Sequence, residues 1–86
     1  MRFSVVWQPI AEQELAELWE HSMNRAAVAD AADRIEQMLR SFPDRVGEER
    51  QFDDRVVFEG PLGMRFRLLF EDRTVQVLSV WDITRR

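Results

Sequence analysis

The sequence predicts an α+β domain in which a helical hairpin packs on a small antiparallel sheet, with elements in the order β, α, α, β, β, β. Three observations carry this prediction. Apolar side chains recur every three or four positions from residue 10 to residue 42, and after residue 54 they alternate instead. The helical and extended stretches are also segregated along the chain rather than interleaved, which favours an antiparallel sheet with its helices on one face.

The first element is "RFSVVW", whose Phe3, Val5, Val6 and Trp7 suit a strand that "QP" then ends. Pro9 suits a first helical turn, where its missing N–H would have had no partner. From Ile10 the positions Ala11, Leu15, Leu18, Trp19 and Ser22 form one stripe, while Glu12, Glu14, Glu17 and Glu20 make an acidic outer face. Asn24 is placed to cap a second helix. Its stripe of Val28, Ala31, Ala32, Ile35, Leu39 and Phe42 runs until Pro43 stops it, and its alanines let the two helices approach closely. "RVVFEG" then reads as a strand, "PLG" as a turn, "MRFRLLF" as a strand, "EDR" as a tight connection and "TVQVLSVW" as the last strand. A short extra strand falls around Glu49 to Phe52, and the first strand is expected beside the last.

Alternation in "MRFRLLF" turns Met64, Phe66, Leu68 and Phe70 toward the helices and Arg65, Arg67 and Leu69 away from them. In the following strand it groups Val75, Val77, Ser79 and Trp81 on one face and Gln76, Leu78, Val80 and Asp82 on the other. Arg50 and Arg55 precede this meander and are expected on the same side as Arg65 and Arg67. Such a cluster suits phosphate, whose oxygens accept charge-assisted bonds from the guanidinium fork. The other reading of the same arginines is pairing with Glu48, Glu49, Asp53, Asp54, Glu59 and Glu71, their neighbours in sequence.

The 86 residues, read as one domain spanning 1–86, allow only a thin core, and a partner would add to its stability. The net charge of −4 argues against broad nonspecific binding of nucleic acid. Its distribution is uneven, with seven acids against four arginines in residues 1–43 and nine against eight in residues 44–86. All twelve basic side chains are arginine. The absence of cysteine excludes disulfides and thiolate metal sites and fits a cytoplasmic protein. No apolar stretch is long enough to span a membrane, and the opening residues lack the apolar region of a secretion signal. One histidine without cysteine gives no expectation of a metal, and no glycine-rich loop or other motif points to a cofactor. His21 belongs to the end of the first helix, away from the arginines. Metal-free RNA cleavage needs a base, an acid and a group that stabilises charge on phosphorus, and arginine fills only the last role well. Trp81 suits either a packing anchor or a base-stacking platform.

"VVWQPIAEQELAELW", "IEQMLRSFPDRVGEER" and "PLGMRFRLLFEDRTVQVLSVW" together resemble the RelE/ParE toxin superfamily, which includes proteins labelled plasmid stabilisation system. The likeness lies in the order and spacing of elements over nearly the whole chain. It implies a toxin made together with a small antitoxin that neutralises it. RelE-like members cleave mRNA in the ribosomal A site with basic sheet residues and a C-terminal tyrosine or histidine, whereas ParE-like members inhibit DNA gyrase. Arg67 matches the position of a phosphate-stabilising arginine and is the candidate catalytic residue. Arg50, Arg55, Arg65, Arg67 and Trp81 are the candidate target-binding residues, with Arg50 and Arg55 in a region that is often basic in the family. The segment "SVWDITRR" carries neither tyrosine nor histidine, which turns the expectation from bond cleavage toward binding, with a catalytically inactive interaction domain as the alternative. The expected partners are a cognate antitoxin and either the ribosome with its mRNA or DNA gyrase. A homodimer is the remaining expectation, from the thin core.

Overall fold

In the computed structural model, which describes residues 2–50 and 53–84, two helices cover one face of a five-stranded sheet. The chain runs β1 (Ser4–Trp7), α1 (Pro9–His21), α2 (Arg25–Ser41), a single 3-10 turn (Pro43–Arg45), β2 (Glu48–Glu49), β3 (Asp54–Glu59), β4 (Leu62–Leu69) and β5 (Thr74–Asp82). Strand order across the sheet is β1-β5-β4-β3-β2. Strands β2 to β5 form an antiparallel meander. β1 lies beside β5 as expected, and this one pair is parallel. The sheet is therefore mixed. The reason is topological: β1 must lead directly into α1 on the covered face, and the helical hairpin acts as the crossover between the two halves of the sheet. The short β2 overlaps the expected extra strand at Glu49; Arg50 follows it outside the strand, and Gln51 and Phe52 lie outside the described residues.

Local signals set the helix limits. Pro9 opens α1, and the Asn24 side chain accepts a bond from the Ala27 N–H at 3.0 Å to cap α2. Only residues 22–24 separate the helices. Pro43 begins the 3-10 turn, and Phe42, counted with the buried stripe from its spacing, is exposed because α2 has already ended before it. Ala11, Ala31, Ile35 and Leu39 of the helices meet Leu62, Met64, Phe66, Val75, Val77 and Val80 of the sheet in one core. The small helix side chains bring backbone close to backbone, which suits a domain with little volume to fill.

Two expectations about strand faces change. Phe70 lies just beyond β4 and is exposed, its ring edge-on to Phe3 at 5.9 Å. In β5 a bulge shifts the register. Arg65 pairs with Ser79 but the next residue, Phe66, pairs with Val77, so Leu78 is the extra residue. Beyond it the alternation is inverted: Val80 is buried in the core, and Trp81 is on the opposite face. Simple period-two counting from Val75 therefore fails at the bulge.

β1 pairs only with residues 74–77 of β5, and the Gln8 N–H closes that ladder on the Val77 carbonyl. Past this point α1 takes over the edge. The Glu14 carboxylate accepts from the Val80 N–H at 3.2 Å and from the Ser79 hydroxyl at 3.4 Å, doing for the strand what a neighbouring carbonyl would do. Among the described residues no helix is long and apolar enough to cross a membrane.

Candidate functional site

Among the described residues no helix lies over the second face of the sheet, and the side chains of that face follow from the register. One cross-strand row holds Phe58, Gly63 and Trp81, the next Val56, Arg65 and Ser79, and the next Asp54, Arg67 and Gln76. β2 adds Glu48 opposite Val56, and the Arg50 N–H donates to the Asp54 carbonyl, which continues that pairing and sets Arg50 beside Asp54. The face thus carries aromatic groups at one end and charges at the other. Successive rows are about 6.6 Å apart, given the rise of an extended chain.

Asp54 organises the charged end. It is buried, and its two oxygens address two arginines. Arg67, directly opposite in register, donates from Nε to Oδ1 at 2.8 Å; Arg65, one row away on the diagonal, has its Nε 3.8 Å from Oδ2. The first is a charge-assisted hydrogen bond, and the second is an ion pair too long to be one. Directly opposed side chains lie closer than diagonal ones, which accounts for the difference. The arginine side chains themselves stay half-exposed. Among the described residues neither guanidinium makes a further hydrogen bond, so the Nη ends of both are open to solvent.

The other two arginines differ. Arg50 donates to Glu48 at 3.1 Å and to the Glu49 carbonyl at 3.4 Å. Both acid and base are well exposed, so this pair holds Arg50 by no more than about 1 kcal/mol and the side chain can turn to a ligand. Arg55 is not part of the cluster. Period two puts it on the face opposite Asp54 and Val56, where Nε donates to the Val46 carbonyl at 3.0 Å, Nη2 to the Gly47 carbonyl at 3.4 Å and Nη1 to Glu49 at 3.2 Å. These bonds clamp the turn before β2 onto β3. Gly47 fits that turn with φ of +75°, and a Cβ there would lie 2.5 Å from the Val56 carbonyl oxygen. The expectation that Arg55 shares a surface with Arg65 and Arg67 is corrected accordingly. Sequence proximity grouped them, and sheet parity separates them.

At the aromatic end the Trp81 ring lies over Gly63, where a Cβ would fall 2.6 Å from the indole, and meets Phe58 edge-on at 6.3 Å. Gly63→Ala is expected to push the indole outward with little loss of stability, since the ring borders solvent. A red shift and greater quenching of Trp81 fluorescence, read in a chain with Trp7 and Trp19 replaced by phenylalanine, would check it. Phe58 escaped sequence reasoning because "DRVVFE" alternates plausibly in either phase, with Val56 and Phe58 on one side and Val57 on the other. Asp54 was visible only as one of several nearby acids.

His21 ends α1, with Nδ1 2.8 Å from the Glu17 carbonyl. It lines a groove with Glu14, Glu17, Leu18, Trp81 and Asp82 along the edge of β5. Trp81 borders both this groove and the open face, but its row lies about 13 Å from that of Arg67. The geometry therefore supplies a paired guanidinium donor without an adjacent imidazole.

Comparison with known proteins bears on the fold. No family model matches the chain, and no curated protein matches it in sequence. Solved structures do match. Superposition on the RelBE2 toxin–antitoxin complex of Mycobacterium tuberculosis gives a TM-score of 0.77 at 21% identity, covering 95% of this chain and 99% of the other. The chromosomal ParDE system of P. aeruginosa gives 0.70 at 18% identity, covering 95% and 97%. The isolated E. coli RelE toxin gives 0.69 at 16% identity, covering 98% and 87%. The chain has the α+β fold of these RelE/ParE toxin structures along nearly its whole length.

Proposed function

We propose that this protein is the toxin of a type II toxin–antitoxin pair of the plasmid stabilisation kind, acting in the cytoplasm by binding a macromolecular target and neutralised by a small cognate antitoxin. The observation that carries the proposal is the end-to-end match to RelE and ParE structures, including toxin–antitoxin complexes, with no large segment left over on either side. The uncovered sheet face with Arg65, Arg67, Arg50 and Trp81 is the surface assigned to the target. Ribosome-bound mRNA and DNA gyrase are the two targets that the resemblance to RelE-like and ParE-like toxins implies, and phosphate-bearing ligands fit the open Nη groups better than an apolar protein surface does.

Tightly controlled expression tests this. Induction of the chain alone should arrest growth, and co-expression of the small gene beside it should restore growth and yield a stable complex of the two proteins. Normal growth with abundant soluble protein in the native host would sink the proposal.

A second reading, ribosome-dependent endoribonuclease, is favoured by Arg67 alone, whose Nη end is free to neutralise a scissile phosphate. Codon-linked cuts seen by primer extension and lost in Arg67→Ala would establish it. Intact message during growth arrest would exclude it and leave binding as the mode of action.

A further inference from the structure

We propose that Asp54 is a positioning residue, which holds Arg67 by a hydrogen bond from its Nε and Arg65 by a longer ion pair, and so turns their Nη edges outward as one paired donor for phosphate oxygens. The inference rests on the reading of the open sheet face as the target-binding surface. It adds a role to a residue whose charge would by itself oppose that function.

Three features support it. The carboxylate is buried under the two arginines, whereas an acid serving only solubility would be exposed. Its oxygens are divided between the two guanidiniums, with Nε at 2.8 Å from one and at 3.8 Å from the other. An arginine held by Nε loses side-chain freedom while keeping its terminal nitrogens for a ligand, so less ordering remains to be done when phosphate binds. Finally, Asp54 and Arg67 are register partners in a six-residue ladder, and the pair is set by backbone hydrogen bonding rather than by two flexible surface side chains meeting by chance.

The two functions that an acid can have here predict opposite signs. If Asp54 merely competes with phosphate, Asp54→Asn makes the chain less negative by one unit and binding should tighten. If Asp54 positions the arginines, the same variant should bind less well despite its more favourable charge. Fluorescence anisotropy with a labelled single-stranded RNA ten-mer at low salt reads this directly. The expected result is a loss of about tenfold, equivalent to one good charge-assisted contact. The slope of log K against log salt should also become shallower by about 1.4 if both guanidiniums leave the backbone. Binding by Asp54→Asn equal to or tighter than that of the unaltered chain would overturn the proposal.

The Arg65→Lys, Arg67→Lys double variant gives a second decision that does not depend on how Asp54→Asn folds. It keeps both charges on half-exposed positions but has no Nε–H fork, so binding should fall by a similar factor; undiminished binding would mean that point charges suffice. Inorganic phosphate, titrated while the Arg Nε–H resonances are followed by NMR, separates the chemistry from the nucleic acid. Shifts at Arg65 and Arg67 are expected, and their absence together with absent RNA binding overturns the assignment. Growth arrest on induction with no phosphate or RNA binding would leave the toxin reading standing and this one fallen, while binding without arrest would do the reverse.

Discussion

Phe66→Ala is expected to remove a large share of the protein's stability. Phe66 is fully buried at the centre of β4, between the helices and the middle of the sheet. Removing a core phenylalanine costs about 3–5 kcal/mol, from lost transfer energy and from the cavity left behind. A domain of this length has about 4–13 kcal/mol in total, so the loss is a large fraction of its stability. The cavity will close poorly, because core positions of the helices such as Ala11 and Ala31 are already fully buried and have little side chain to move inward. Thermal unfolding followed by circular dichroism should show Tm lowered by roughly 12–40 °C. A fall of only a few degrees would mean that the core is more adaptable than its packing implies.

The second large effect concerns function. Replacing Arg65 and Arg67 by glutamine together with Asp54 by asparagine should abolish growth arrest while preserving the fold. Changing the three together matters. Removing the arginines alone would leave a buried carboxylate without a partner, which is itself strongly destabilising and would confuse loss of fold with loss of binding. With all three neutral, the amides can still bond to one another and the other rows of the face are untouched. Growth of induced cells, alongside the Tm and the yield of soluble protein, makes the comparison. Continued arrest by this variant would remove the charged end of the face from the mechanism and direct attention to Trp81 and Phe58.

The fold was legible where its causes are local. Pro9, Asn24 and Pro43 each act on their own turn of backbone, and the switch from helical to alternating periodicity needs no knowledge of what packs against it. The outcome at β5 differed because its cause is not local. The extra residue Leu78 is defined by β4 slipping against β5 between Arg65 and Phe66, and nothing in "TVQVLSVW" marks it. Phe70 shows a similar limit: its apolar character suited the core, but β4 ends one residue before it. For the site, the pairing of Arg65 and Arg67 on one face followed from their spacing alone. The separation of Arg55 from Arg50 and the choice of Asp54 over five other acids depended on strand register. Register is fixed by contacts between segments, and a single strand does not contain it.

The parallel pairing of β1 with β5 has a consequence for when the protein comes into being. During synthesis the first strand emerges early, yet its strand partner among the described residues consists of residues 74–77. Until these are made, β1 has no ladder to join and the helical hairpin lacks the sheet half on which α1 rests. Local helix can form meanwhile, but closing the sheet means bringing together segments about 70 positions apart, the kind of contact that is entropically costly and slow. The sheet is consequently closed late in synthesis, whereas Asp54, Arg65 and Arg67 lie on the neighbouring strands β3 and β4, whose pairing is local. A chain that stops short of residue 74 therefore has neither β5 nor a strand beside β1.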